Sequence, residues 1–296
     1  MSFFIKCISI IISAALLAGC GGSSNNNEGA NEFSLESYDA RTFSSDSLEG
    51  TWVYVREGEI TNFLDGGFQI SLEYVSKAYF KIQEENGVYL LKSCFGEGTV
   101  IEVNGDKVLF DGEEVGTVTN NQLMTFIADY EEPEAEIIID GDEDYTDTSS
   151  QLMEMIKVSN RSTSVGTVSA NEAGNGSTRL GVDCFDQVSG IWRYGVGGNP
   201  ISYEGFYFGL EDSSVIRVED YFGELDEELN STLNPNEDEA YSRTSISVYG
   251  SQFYSELGHT VNFNVDSQSS HSQIFSFFAS NNSADISGNI QIQLPM

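Results

Sequence analysis

Carboxylates are the commonest reactive side chains in this chain. Residues 129–147, DYEEPEAEIIIDGDEDYTD, hold ten acidic side chains in nineteen. Asp140, Asp142 and Asp144 alternate as the first ligands of a calcium loop do, because hard oxygens on every second residue converge on one cation. The rest departs from that loop: Tyr145 stands where the tight turn needs glycine, and Gln151 where a bidentate Glu would close the shell. Weak Ca²⁺ binding at Asp140, Asp142 and Asp144 is the only cofactor reading these residues offer, with a solvated acidic loop as its alternative. A second acidic run comprises Glu219, Asp220, Glu224, Asp226, Glu227 and Glu228, followed by Glu237 to Glu239. Nucleophilic chemistry needs a base beside Ser, Thr or Cys, and the two histidines, His259 and His271, lie beside strand-like sequence. Neither a G-x-S-x-G elbow nor an H-E-x-x-H helix occurs. No catalytic residue is expected; a hydrolase working through surface carboxylates ranks third among the readings below.

The four cysteines, Cys7, Cys20, Cys94 and Cys184, divide by position. Lys6 precedes CISIIISAALLAG, thirteen uncharged and mostly apolar residues. As a helix these span roughly 20 Å, short of the ~30 Å hydrocarbon thickness. A positive start, a brief apolar core and small residues at its end predict an export signal over 1–19. Leu17-Ala18-Gly19-Cys20 resembles the lipobox of bacterial lipoproteins at all four positions. That resemblance implies cleavage before Cys20, diacylglyceration of its thiol and acylation of the new amino end. Two or more chains anchor durably where one binds reversibly. Gly21, in place of Asp, favours the outer membrane by the same family's sorting rule. With Cys7 lost and Cys20 lipidated, Cys94 and Cys184 remain in a compartment where disulfides persist. They are expected to pair, two free buried thiols being the alternative.

Thirteen basic residues stand against 47 acidic ones, a formal net charge of −34. Nucleic acid and anionic lipid surfaces would both repel such a chain. Apolar residues at 40% and aromatics at 12% exclude disorder for most of it. Residues 20–47 are rich in Gly, Ser and Asn and predict a flexible tether after the lipidated cysteine, with a mean reach of roughly 30 Å.

From residue 48 the chain breaks into short β-branched and aromatic segments such as TWVYVRE, KAYFKIQE and GVYLLKSC, punctuated by Asn86-Gly87, Asn104-Gly105-Asp106 and Asp111-Gly112. Period-two alternation between such turns predicts antiparallel hairpins in sequence order. Near the end, Ile286, Ile290, Ile292 and Leu294 share one parity and should face one core. Helix signals are confined to a short stretch at 223–233 and an ambiguous one at 149–158. LEGTWVY and VSGIWRY surround the only two tryptophans, and a similar hairpin follows each, from Tyr79 and from Tyr207. The repetition predicts an all-β chain of two antiparallel barrel or sandwich domains, 48–187 and 188–296. Gly50, Trp52, Gly190 and Trp192 are then core anchors at strand starts. Gly50-x-Trp52 on the first strand of a β domain also resembles lipocalin-like proteins, in which the Trp closes the barrel floor. An arginine packed over it, Arg179 here, and an apolar ligand inside the barrel are what that resemblance implies.

The leading expectation is a lipid-anchored cell-envelope protein acting as a non-catalytic binding or structural module. Its partner is undetermined among an envelope protein, a glycan and a small apolar ligand. A lipocalin-like carrier is the alternative.

Overall fold

A strand satisfies its backbone only by pairing sideways, and in the computed structural model of this chain the described strands pair antiparallel with their neighbours. It describes residues 47–64, 68–92, 94, 98–110, 112–126, 144–147, 154–173, 176–194, 200–224, 240–249, 251–255, 260–269, 271–281 and 284–294. Residues 1–46, on which the expected signal, Cys20 and the expected tether fall, lie outside the described residues, as do Asp140, Asp142 and His259.

The first strands are β1 (Gly50–Leu64), β2 (Phe68–Glu85), β3 (Val88–Lys92), β4 (Thr99–Asn104), β5 (Lys107–Phe110), β6 (Glu113–Thr119), β7 (Leu123–Phe126), β8 (Asp144–Asp147) and β9 (Glu154–Ser159). Strands β1 to β7 pair antiparallel in sequence order, and β9 joins β7 to β1, which closes an eight-stranded barrel. Strand β8 adds outside this ring, along the far half of β1. Asn86 and Gly87 both carry positive φ, 56° and 82°, the primed turn that matches strand twist. Turn chemistry thus sets the β2–β3 register locally.

The remaining strands are β10 (Gly166–Glu172), β11 (Gly176–Tyr194), β12 (Pro200–Leu210), β13 (Val215–Glu224), β14 (Ala240–Val248), β15 (Ser251–Tyr254), β16 (Thr260–Gln268), β17 (Ser272–Ser280) and β18 (Asp285–Gln293). They form a second antiparallel sheet that runs from β15 through β14, β13, β12, β11, β10, β18 and β17 to β16. The sheet curls round until β14 and β15 touch β16. No helix occurs among the described residues. Gly223 and Glu224, from the predicted helix at 223–233, instead end β13, and Glu154–Val158 of the ambiguous stretch lies in β9.

Two long strands weld the halves. Along Ile70–Phe80, β2 pairs with β1 on one edge and with Cys184–Tyr194 of β11 on the other. At Lys81 that second edge passes to β3, and on β11 residues Gly176–Val182 pair with β10 instead. The exchange on β11 coincides with a bulge, where the register against β12 shifts between Val182 and Cys184. The predicted boundary between residues 187 and 188 therefore falls inside β11, and pairing is unbroken across it. A fork of this kind must hold the two diverging strands, and polar pairs do so. Lys81 Nζ lies 2.6 Å from Asp183 Oδ1 with both side chains buried, and Ser164 Oγ donates to the same oxygen at 3.2 Å. Nearby, Ser76 Oγ donates to Asp186 Oδ1 at 2.7 Å, also buried.

Stretches of β1, β2, β11, β12 and β13 feed two cores from their opposite faces. One face sends Trp52, Leu72, Phe80, Val188, Trp192 and Tyr203 into a first core, and the other sends Val53, Tyr79, Phe185, Phe206 and Val218 into a second. Their sequences accordingly read as unbroken apolar runs, TWVYV and FYFGL, where a half-exposed strand would alternate. Ile286, Ile290, Ile292 and Leu294 do face one core, the second.

Candidate functional site

Trp52 is fully buried and donates its indole N–H to the Leu48 carbonyl at 2.9 Å. In register it faces Phe80 on β2 and Lys157 on β9. The cation beside this tryptophan is therefore Lys157. Arg179, expected in that place, is exposed on β11 opposite Ser169. Lys157 donates from Nζ to the Ser47 carbonyl at 2.8 Å, and burial lowers its pKa to about 8. Gly50 makes the end compact. A Cβ there would sit 2.2 Å from the Ser159 carbonyl oxygen and 2.5 Å from Lys157 Cε, at a φ of +151°. We expect Gly50→Ala to cost about 2–4 kcal/mol, from overpacking combined with an unfavourable backbone conformation. Chemical denaturation checks this, and a loss below about 0.5 kcal/mol would contradict the close approach.

Gly190 plays the same part on the other strand. A Cβ on it would come within 2.4 Å of the Glu73 carbonyl oxygen, so its absence lets β11 lie against β2. Trp192, two residues on, packs edge-on to Tyr203 at 6.3 Å and against Tyr221 at 6.2 Å. The two tryptophans differ from the expected pattern in two respects, the first being that Trp52 lies near the start of β1 but Trp192 near the end of β11. Both also line the first core, so they do not anchor separate ones.

The most concentrated polar chemistry lies where sequence reasoning did not look, on the first-core face of β12 and β13. Tyr203 and Tyr207 bracket Gly205, which stands opposite Glu219 in register. A Cβ on Gly205 would meet the two hydroxyls at 2.6 and 2.9 Å, so the missing side chain is what lets them converge. The hydroxyls contact each other, and Tyr207 donates to Glu219 Oε1 at 3.2 Å. Ser245 reaches Glu219 Oε2 at 3.4 Å. Burial first, then neighbouring oxygens and the Glu219 charge, hold both tyrosines well above their ordinary pKa. They stay protonated and act as donors that orient one nearly buried carboxylate. The signal was present as Tyr-x-Gly-x-Tyr, but Glu219 was indistinguishable from its acidic neighbours.

Beside it, Asp220 accepts from Thr244 Oγ1 at 2.9 Å on the opposite face and pairs in register with Glu204. Burial raises the pKa of both carboxyls. Of the candidate calcium residues, Asp144 lies at the start of β8, paired with Phe63, and so belongs to a strand. Among the described residues no group of three or more His, Cys, Asp or Glu is placed to hold a metal. His271 occupies the turn before β17, where its carbonyl accepts from the Leu294 N–H at 2.8 Å. Cys94 and Cys184 form a disulfide with Cα atoms 4.9 Å apart, joining the end of β3 to the fork on β11. No family model, curated protein or solved structure matches this chain.

Proposed function

We propose that the protein is a lipid-anchored component of the cell envelope acting as a non-catalytic binding or structural module, attached through Cys20. The observation that carries the non-carrier part is the content of the eight-stranded barrel. Trp52, Ile82, Leu91, Ile101, Val108, Val118, Met124 and Met155, one from each strand of the ring, are buried in a single cluster. A core occupied from every wall leaves recognition to the outer surface. The anchor rests on the export signal and on Leu17-Ala18-Gly19-Cys20.

A second reading is favoured by one feature. Closure of strands β1 to β7 and β9 in up-and-down order, with Gly50 and Trp52 at one end, is an arrangement that also suits a carrier of a small apolar ligand. Native mass spectrometry of the full chain extracted from membranes separates the two. The module predicts a chain beginning at acylated Cys20 without a bound apolar molecule; the carrier predicts a stoichiometric one.

A further inference from the structure

We infer that the open edge of β16 is a self-association site, at which two copies of the chain pair strand against strand. On one side β16 is paired with β17. On the other, β14 and β15 come into contact with it, yet no ladder joins them to it among the described residues. Strand β15 has four residues and so flanks less than half of the nine in β16. The hairpin closure fixes which groups look out of this side. The Ser269 N–H donates to the Ser272 carbonyl at 2.8 Å, and alternation from that pair sends the N–H and C=O of Asn262 and Asn264 to β17. Those of Val261, Phe263 and Val265 point to the open side. The side chains of the same three residues turn toward the second core without being closed over. Val261 and Phe263 are half-buried against it and Val265 is 39% exposed, whereas Phe275, Phe277 and Ala279 on the doubly paired β17 are buried.

Sequence and charge select the occupant. Native sheets blunt exposed edges with lysine or proline, but TVNFNVDSQ contains neither. Its one charge, Asp266, sits at the bulge and accepts from Ser276 Oγ at 3.0 Å. The strand also complements itself. Turned about a two-fold axis through Phe263, it sets Phe263 opposite Phe263, and Val261 of one copy opposite Val265 of the other. Asn262 then stands opposite Asn264. Apolar side chains extend the row that faces the core, amides meet on the outer face, and the outward N–H and C=O groups of both copies come into register. Such a contact is isologous, so it leaves no edge for a third copy. A formal charge of −34 drives copies apart elsewhere, but β15 to β18 carry Asp266 and Asp285 as their only charged side chains. Two copies therefore meet here with the least repulsion, and a basic peptide finds no row of carboxylates to select it.

The test is sedimentation and native mass spectrometry of the full chain in detergent. A dimer is expected, strengthened by added salt because only the long-range repulsion is screened. Val265→Lys puts a charge into the core-facing row of the contact and should raise the dissociation constant at least tenfold. Asn289→Lys adds the same charge on the outer face of β18, which is paired on both sides, and should leave the constant within about twofold. Should Val265→Lys lower the melting temperature by more than a few degrees, Asn262→Cys/Asn264→Cys replaces it. Both side chains are exposed, and mild oxidation should join two copies covalently, as it should not for Asn289→Cys. A monomer, an open-ended oligomer, a dimer that survives Val265→Lys or dissociates in salt, or failure of the paired cysteines to cross-link would overturn the inference. The outcome is separate from the anchor: a dimer of chains lacking acyl groups keeps the interface and removes the lipid attachment, and an acylated monomer does the reverse.

Discussion

Lys81→Met is expected to destabilise the protein by about 3–5 kcal/mol, the cost of stranding one member of a buried ion pair. Lys81 and Asp183 are only 8% and 7% exposed, and their contact is 2.6 Å. Without the ammonium, Asp183 Oδ1 keeps the Ser164 hydroxyl at 3.2 Å, which is too little to offset the lost charge. Position enlarges the effect. The pair stands where β2 exchanges β11 for β3 and β11 exchanges β2 for β10, so loosening it loosens both sheets. Denaturant unfolding measures this, and the double variant Lys81→Met/Asp183→Leu should recover part of the loss, since no uncompensated charge remains. A single-variant loss under 1 kcal/mol would show that the fork is held by strand pairing alone.

The disulfide carries the other large effect. Cys94 and Cys184 are 90 residues apart in sequence, and a closed loop of that size is worth roughly 4–5 kcal/mol on the chain-entropy account. Cys94→Ala/Cys184→Ala should lose about that much, and reductant should lower the wild-type melting temperature while leaving the variant's unmoved. Full reaction of the unreduced protein with a thiol reagent would contradict the pairing. Because Cys184 follows Asp183 directly, losses from the ion pair and the disulfide should not add.

What the sequence made legible was local. Asn86-Gly87 marked a primed turn because glycine and asparagine tolerate positive φ, and Ile286, Ile290, Ile292 and Leu294 shared a core because parity alone decides which face a strand residue takes. The pairing of β2 with β11 was invisible, because strands more than a hundred residues apart carry no turn to set their register. That pairing is why a boundary at 187/188 read plausibly yet lies within one strand, and why Trp52 and Trp192 meet in one core. TWVYV signalled burial but not on which face, since a strand shared by two cores has no polar side to reveal it. The lysine facing Trp52 was missed for a related reason: Lys157 is a charged side chain in a short strand, ordinarily assigned to solvent, and here Gly50 and the Ser47 carbonyl make room for it. Glu219 was lost among acidic residues until Tyr203, Tyr207 and Gly205 were seen around it.

The measurement that bears most directly on the account is the intact mass of the full chain extracted from membranes under native conditions, compared with Cys20→Ser. A lipid-anchored module with a filled barrel predicts a wild-type mass for residues 20–296 plus acyl chains, with no stoichiometric apolar companion. The Cys20→Ser chain should lack the acyl mass and leave the membrane fraction. A wild-type chain retaining residues 1–19 without acylation, or one carrying an apolar molecule at one copy per chain, would contradict it.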